Sequence, residues 1–144
     1  MSAVTYINEL IEREGGYVFD PRDSGGETKF GITVATARAY GYTGLMRELP
    51  HATAQTIYLR RYWVEPKFHL IDEVYPALAE CLLDFGVLAG QKTASAHLQR
   101  VLNVLNRQQA DYEDLEDDGR IGTITLAALR TFLKKRGREG GGEE

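Results

Sequence analysis

The chain has 144 residues, 43% of them hydrophobic, and a formal net charge of −4 at pH 7. That length allows one sizeable hydrophobic core with a small appended subdomain. The mild acidic excess argues against a nucleic-acid partner, because binding phosphates requires a concentrated patch of Lys and Arg.

The first residues, Met1 to Thr5, lack the basic and apolar regions of a signal peptide, and no apolar run is long enough to span a bilayer. We therefore expect synthesis in the cytoplasm and no membrane insertion. The single cysteine, Cys81, excludes an internal disulfide. It follows Leu78 and precedes Leu82 on one apolar stripe, which predicts a buried thiol.

The first helix is predicted from the apolar residues between Val4 and Ile11, with Glu14 on the same stripe and two glycines after it. Residues 15–31 are rich in Gly, Asp, Pro and Ser, which predicts an irregular loop or a small β-hairpin within 17–32. Thr33 then suits the N-cap of a helix through Tyr40.

Further apolar stripes at helical spacing predict the rest of the fold. Thr53 lies in capping position for the next helix, and Pro66 marks its end. The later helices are predicted at 76–90, 94–105 and 126–133. Because no long run alternates apolar and polar residues, we predict an all-α fold, mainly helical, with at most a small hairpin.

Glu14 is a carboxylate on the apolar stripe of its helix, in the last turn. Partial burial and the negative end of the helix dipole both favour its protonated form, and a protonated carboxyl can donate a proton to a departing glycosidic oxygen. An ordinary solvated residue before a glycine C-cap fits the same pattern.

Residues 14–33 read Glu-Gly-Gly-Tyr-Val-Phe-Asp-Pro-Arg-Asp-Ser-Gly-Gly-Glu-Thr-Lys-Phe-Gly-Ile-Thr. This run closely resembles the signature of the Glu-Gly-Gly-Tyr muramidases, glycoside hydrolase family 108. The resemblance implies a lysozyme-like fold and hydrolysis of the β-1,4 bond between N-acetylmuramic acid and N-acetylglucosamine. It also implies that Glu14 is the general acid and that no cofactor is needed. Such enzymes occur among phage endolysins and secretion-associated muramidases.

Asp20, Asp23 and Glu27 are all candidates for a second catalytic carboxylate. Asp23 is preferred, because its spacing from Glu14 resembles the Glu-x8-Asp pattern of other phage lysozymes, with Thr28 near the position of their threonine. A water held by Asp23 and Thr28 would give inversion, whereas direct attack by a carboxylate would give retention.

Sugar rings bind beside aromatic side chains, so four aromatic residues are candidates for substrate binding. The alternative for each of them is core packing. These residues are Tyr17, Phe30, Tyr62 and Trp63.

The segment from Asp118 to Thr125 resembles the Asp-Gly-x-x-Gly-x-x-Thr signature of small peptidoglycan-binding domains. The resemblance implies a second wall-binding site, and a purely structural turn before a helix is the alternative. The residues of the signature are Asp118, Gly119, Gly122 and Thr125.

We therefore expect a muramidase domain at 1–90, a helical peptidoglycan-binding region at 91–136 and a disordered tail at 137–144. The partner is bacterial peptidoglycan, reached in the periplasm after holin-dependent or secretion-system release. We expect a monomer, with a dimer through the C-terminal region as the alternative. The scattered histidines predict no metal site. The competing function is a noncatalytic peptidoglycan-binding or secretion-accessory protein on the same fold.

Overall fold

The computed structural model describes residues 2–22, 26–106, 112 and 114–139. The chain forms two compact units, Met1–Arg61 and Tyr62–Glu144. Each unit has its own helices, and the small sheet belongs to the first.

Helix α1 (Ala3–Glu14) begins the first unit, as predicted. The Ser2 hydroxyl accepts a hydrogen bond from the Thr5 amide and so caps the helix start. The apolar face packs against α3 (His51–Leu59), where the Gln55 side-chain amide donates to the Asn8 side chain. The buried residues on that face are Ile7, Leu10 and Ile11. Full burial of each such side chain contributes about 1.5–3 kcal/mol.

The predicted hairpin region contains a three-stranded antiparallel sheet, with strands β1 (Tyr17–Phe19), β2 (Glu27–Lys29) and β3 (Ile32–Thr33) in that order. Tyr17 pairs with Lys29, and Thr28 pairs with Thr33. Because side chains alternate along a strand, Tyr17 and Glu27 share one face of the sheet, and Thr28 lies on the other.

Helix α2 (Val34–Ala39) begins at the predicted N-cap, since the Thr33 hydroxyl accepts a hydrogen bond from the Thr36 amide. A 3₁₀ turn (Met46–Glu48) precedes α3. The predicted capping role of Thr53 is wrong: the N-cap of α3 is Pro50, three residues earlier, and Thr53 lies inside the helix. At its end α3 continues into a π-helical turn, Arg60–Val64.

The second unit contains α4 (Phe68–Asp72), α5 (Pro76–Ala89), α6 (Gln91–Leu105) and α7 (Thr123–Glu139). Pro76 occupies the first turn of α5, and Gly90 follows its end, as predicted. One hydrophobic cluster joins all four helices. Its members include Phe68, Ile71, Ala79, Leu82, Ala94, Leu98, Leu102, Leu126 and Leu129.

The predicted burial of Cys81 is wrong, because its thiol is exposed. The buried face of α5 is instead formed by Ala79, Leu82, Leu83 and Gly86. A Cβ atom built on Gly86 would lie 3.4 Å from the Gln91 Cα atom and 3.6 Å from the Phe68 ring, so this side of α5 packs against its neighbours. The apolar stripe predicted through Cys81 and Leu88 therefore does not coincide with the buried face of α5. Leu88 is 79% exposed.

Helix α7 extends through Glu139, so its last three residues belong to the segment predicted as a tail, and residues 140–144 lie outside the described part of the chain. The helices and the small sheet confirm the mainly helical, lysozyme-like fold. Within the described residues, no helix combines the length and the apolar character that crossing a bilayer requires.

Candidate active site

Glu14 is the last residue of α1. Gly15 closes the helix with φ +79°, and its amide donates to the Ile11 carbonyl at 3.2 Å. The predicted partial burial of Glu14 is wrong, because the side chain is exposed. The buried stripe of α1 ends at Ile11, one turn before the carboxyl group. The carboxyl group is therefore open to a ligand.

The turn between β2 and β3 lies against this carboxyl group. Phe30 and Gly31 form the turn with φ +54° and +79°. A Cβ atom on Gly31 would lie 2.7 Å from Glu14 Oε1 and 2.9 Å from the Tyr58 hydroxyl oxygen. Both groups thus meet over the Cα atom of Gly31, and only glycine leaves room for them there.

Tyr58 supports the turn from α3. Its side chain is buried, and its hydroxyl donates to the Phe30 carbonyl at 2.7 Å. A left-handed conformation at a non-glycine residue costs about 1–2 kcal/mol, so it persists only where surrounding contacts hold it. The Tyr58 hydrogen bond is such a contact.

A second polar group lies on the sheet face that carries Tyr17. The Tyr17 hydroxyl donates to Glu27 Oε2 at 2.5 Å, and the Arg47 guanidinium lies 5.0 Å from the Tyr17 ring centroid. The hydrogen bond to Glu27 raises the pKa of Tyr17 above its ordinary value, as do desolvation and the negative charge of Glu27, while Arg47 opposes the rise. Tyr17 is therefore a neutral donor that holds Glu27 in place.

Phe30 is half-buried between cationic and aromatic neighbours. The Lys29 ammonium lies 5.2 Å from the Phe30 ring centroid and donates to the Arg47 carbonyl at 2.6 Å. The His51 ring meets the Phe30 ring edge-on, with centroids 5.8 Å apart. These contacts fix the orientation of the Phe30 ring beside the turn that contacts Glu14.

The three candidate second carboxylates have different positions. Asp20 accepts hydrogen bonds from the amide and side chain of Arg22, at 3.0 and 3.3 Å, which is the geometry of a local turn. Asp23 lies outside the described residues. Glu27 lies on β2, and its carboxylate accepts a hydrogen bond from the Tyr17 hydroxyl of β1. Thr28 lies on the opposite face of β2.

Tyr62 and Trp63 lie in the π-helical turn and belong to the second unit. Both are half-buried, and Trp63 packs at the edge of the hydrophobic cluster of that unit. Short π-helical segments are rare and often occur at functional sites. The local backbone is thus consistent with a functional role for these two rings.

The Asp118 signature surrounds the side chain of Gln99, which is 1% exposed. Its Nε2 atom donates to the Arg120 carbonyl at 2.8 Å and lies 3.1 Å from Asp118 Oδ1 and 3.2 Å from Thr125 Oγ1. The Gly119 amide donates to Gln99 Oε1 at 2.9 Å. Three residues of the signature, through their hydrogen bonds to Gln99, therefore hold the segment before α7 in its conformation.

A pocket of about 520 Å³ opens at the same place. Carboxylates and one arginine contribute to its wall, and the exposed Ile124 adds apolar surface. The charged residues that line it are Asp114, Glu116, Asp118 and Arg120. The Arg120 amide lowers the pKa of Asp118 by donating to its carboxylate, and the Gln99 side chain lowers it further.

Sequence reasoning did not identify Gly31, Tyr58 or Arg47 as site residues. From the sequence, Tyr58 looks like an ordinary buried residue of α3. Its hydroxyl donates to a backbone carbonyl 28 positions away, and no sequence pattern indicates such a partner. In the described ranges of the chain, no group of three His, Cys, Asp or Glu side chains is arranged to hold a metal ion.

The chain matches one family model and is similar to solved protein structures. Residues 7–90 match the family model described as Glycosyl hydrolase 108, a span that includes Glu14, the sheet and α3. The chain is also similar to the solved structure of SagA from Brucella abortus, with 28% sequence identity and a TM-score of 0.64. That similarity covers 96% of this chain and 79% of SagA. No curated protein matches the chain.

Proposed function

Because the chain belongs to glycosyl hydrolase family 108, we propose that it is an N-acetylmuramidase in which Glu14 is the general acid. At the level of the family it is a peptidoglycan hydrolase. The bond cleaved is the β-1,4 linkage from N-acetylmuramic acid to N-acetylglucosamine, and Glu14 protonates the departing oxygen.

The observation that carries the proposal is the placement of the Glu14 carboxyl group. It ends a helix, contacts the β2–β3 turn and remains exposed, so that a glycan can reach it. A general acid has to come within hydrogen-bonding distance of the oxygen that it protonates. A glycan bound over Glu14 would displace the water around it and strengthen its electrostatic interactions.

A second group has to supply or orient the nucleophile. Asp23 and Thr28 remain our proposal for holding the attacking water. Glu27 is the alternative among the described carboxylates, because Tyr17 fixes it by a short hydrogen bond on the neighbouring strand. A Glu27 carboxylate that attacks carbon directly would give retention, whereas a water held by Asp23 and Thr28 would give inversion.

We assign substrate contacts to four rings. Phe30 forms the turn beside Glu14 together with Gly31, and Tyr17 adjoins Glu27. Half-buried rings with ordered polar neighbours can stack on the apolar face of a sugar while those neighbours bind its hydroxyl groups. Tyr62 and Trp63, which belong to the second unit, remain proposed substrate contacts in that unit.

A second binding site is proposed in the region 91–136. The 520 Å³ pocket at the Asp118 signature supports wall binding there, because it combines an apolar side chain with several hydrogen-bonding groups. The family match ends at residue 90, directly after α5. This supports catalysis by the residues before that point and wall binding by the residues after it. A protein that only binds peptidoglycan would use this pocket without needing Glu14.

Mass analysis of the fragments released from purified peptidoglycan tests the reaction. We expect fragments that gained one water and end in reducing N-acetylmuramic acid. Anhydro sugar ends would indicate a lytic transglycosylase, and reducing N-acetylglucosamine ends would indicate a glucosaminidase. Either product, or released stem peptides alone, would contradict the proposal.

A further inference from the structure

We propose that Tyr58 is a positioning residue for Glu14. Its hydroxyl holds the left-handed turn between β2 and β3 in its conformation, and that turn determines the position of the Glu14 carboxyl group. The inference depends on the proposed function only in giving Glu14 the role of acid.

The first step of the argument is the strain in the turn. Phe30 has φ +54°, a conformation that its Cβ atom disfavours, and the adjacent Gly31 has φ +79°. The Tyr58 hydroxyl donates to the Phe30 carbonyl at 2.7 Å. This bond holds the peptide unit between Phe30 and Gly31 in the orientation that the turn requires.

The second step is the contact between the turn and the carboxyl group. The Cβ direction of Gly31 points at Glu14, where the nearest side-chain atoms of Glu14 and Tyr58 lie 2.7 and 2.9 Å from an ideal Cβ position. If the peptide unit rotated, Gly31 would move relative to both groups. The Glu14 carboxyl would then lose the surface against which it packs.

The third step is that Tyr58 itself has little freedom to move. It is 7% exposed, and it lies on α3, the helix that packs against the Glu14 helix α1. Neighbouring Ile57 is also buried. A fixed hydroxyl on one helix therefore sets the turn that contacts the last residue of the other.

The test is the carboxyl ¹³C signal of Glu14 in the full-length chain, assigned by its loss in Glu14→Gln. We expect Tyr58→Phe to shift this signal relative to the wild type at the same pH. Tyr42→Phe is the matched control, because the Tyr42 hydroxyl also donates to a backbone carbonyl at 2.7 Å, that of Leu45. An unchanged Glu14 signal in Tyr58→Phe would overturn the proposal.

A second variant separates positioning through the turn from a direct effect of the hydroxyl. Glycine adopts positive φ without support, so in a Phe30→Gly background the turn should need Tyr58 less. We expect Tyr58→Phe to shift the Glu14 signal less in that background than in the wild type. An equal shift in both backgrounds would contradict positioning through the turn. The comparison also remains informative if Tyr58→Phe alone folds poorly.

Turnover of peptidoglycan gives the functional readout. We expect Tyr58→Phe to lower kcat about tenfold to a hundredfold with little change in KM, since misplacement of a catalytic group by about 1 Å has such effects. Tyr42→Phe should leave kcat unchanged. If Glu14→Gln kept wild-type turnover, the proposed acid would be wrong, whereas the spectroscopic comparison would still decide the role of Tyr58. A wild-type kcat in Tyr58→Phe beside an inactive Glu14→Gln would contradict the role of Tyr58 in catalysis.

Discussion

Gly31 is the residue on which the geometry around Glu14 depends most directly. Its φ of +79° suits glycine, and its Cα atom faces the Glu14 carboxyl and the Tyr58 hydroxyl with no room for a side chain. Two separate requirements, backbone conformation and space, thus coincide at one position.

Replacing Gly31 with alanine should affect both stability and activity. The positive φ costs about 1–2 kcal/mol in a residue with a Cβ atom, and that Cβ would displace the Glu14 carboxyl. We expect peptidoglycan turnover, measured by release of reducing ends, to fall at least tenfold relative to the wild type, consistent with about 1 Å of misplacement.

Gly41→Ala is the control for this change. Gly41 has φ +94°, and nothing lies within 4 Å of a Cβ atom built there. It should lose about 1–2 kcal/mol in the free energy of unfolding in urea, from backbone strain alone, yet keep its turnover. Equal turnover in the two variants would mean that the Gly31 turn does not place Glu14.

At the scale of elements, the segment before α7 is organised by one buried amide. Gln99 on α6 bonds to the backbone at Gly119 and Arg120, and its side chain also reaches Asp118 and Thr125. Such a network stabilises a fold only while all its members are paired.

The change Gln99→Leu should therefore be strongly destabilising. It leaves the Gly119 amide, the Arg120 carbonyl and the buried Thr125 hydroxyl without their present partner. We expect a loss of about 3 kcal/mol in the free energy of unfolding, since each unsatisfied buried group costs about 1–3 kcal/mol. Denaturation in urea measures this. A loss below about 1 kcal/mol would show that the segment repacks without Gln99.

The carboxylate of Asp118 predicts a pH dependence. Its pKa in the folded chain lies below the ordinary value of 3.8, first because the Arg120 amide donates to it and then because Gln99 does. The stabilisation is thus fully present above pH 3.8 and is lost as pH falls through the lowered pKa. In Asp118→Asn, the loss of stability between pH 6 and pH 3 should be smaller than in the wild type.

Glu116→Gln is the comparison for that experiment, because Glu116 is an exposed carboxylate of the same segment. We expect its pH dependence, followed by urea unfolding, to resemble that of the wild type. If Asp118→Asn also followed the wild-type curve, the hydrogen bonds to Asp118 would contribute nothing to acid sensitivity.

Most helices could be predicted because their signals are local. A helix end is marked by residues next to it in sequence: a Ser or Thr cap, a Pro in the first turn, or a glycine after the last turn. Thr33, Pro76 and Gly90 have the predicted positions. Cys81 was misplaced because the buried face of α5 depends on which neighbours pack against it. At Gly86 those neighbours are Phe68 and Gln91, and periodicity does not contain this information.

The candidate site was predictable only in part. The family resemblance implied Glu14 as the acid, which remains a proposal. The position of its carboxyl group depends on Gly31 and Tyr58, which lie 17 and 44 positions further along the chain. The Tyr58 hydroxyl binds a main-chain carbonyl, which every residue has. No pattern of residue types could therefore point to it.

At the scale of the molecule, the proposed functional division at residue 90 is not a boundary of packing. Phe68, Ile71 and Leu82 lie in the same cluster as Ala94, Leu98 and Leu102 of α6. The helices before and after Gly90 thus share one core. Removing the later helices would expose several large apolar side chains, at about 1.5–3 kcal/mol each.

A chain that ends at Gly90 should consequently not fold cooperatively, since a domain of this size has only about 5–15 kcal/mol of stability. Circular dichroism during thermal unfolding would show a broad or absent transition, whereas the full chain should show a single sharp one. A truncated chain with the same transition temperature as the full chain would contradict the shared core.

The most direct test of the account as a whole compares Glu14→Gln with Glu12→Gln. Both carboxylates are exposed on α1, two residues apart, and each substitution removes the transferable proton while nearly keeping the volume. Release of reducing ends from purified peptidoglycan should fall by about 10²–10⁴-fold in Glu14→Gln and stay at the wild-type level in Glu12→Gln, with both variants folded. Wild-type release by Glu14→Gln would contradict the assignment of the acid.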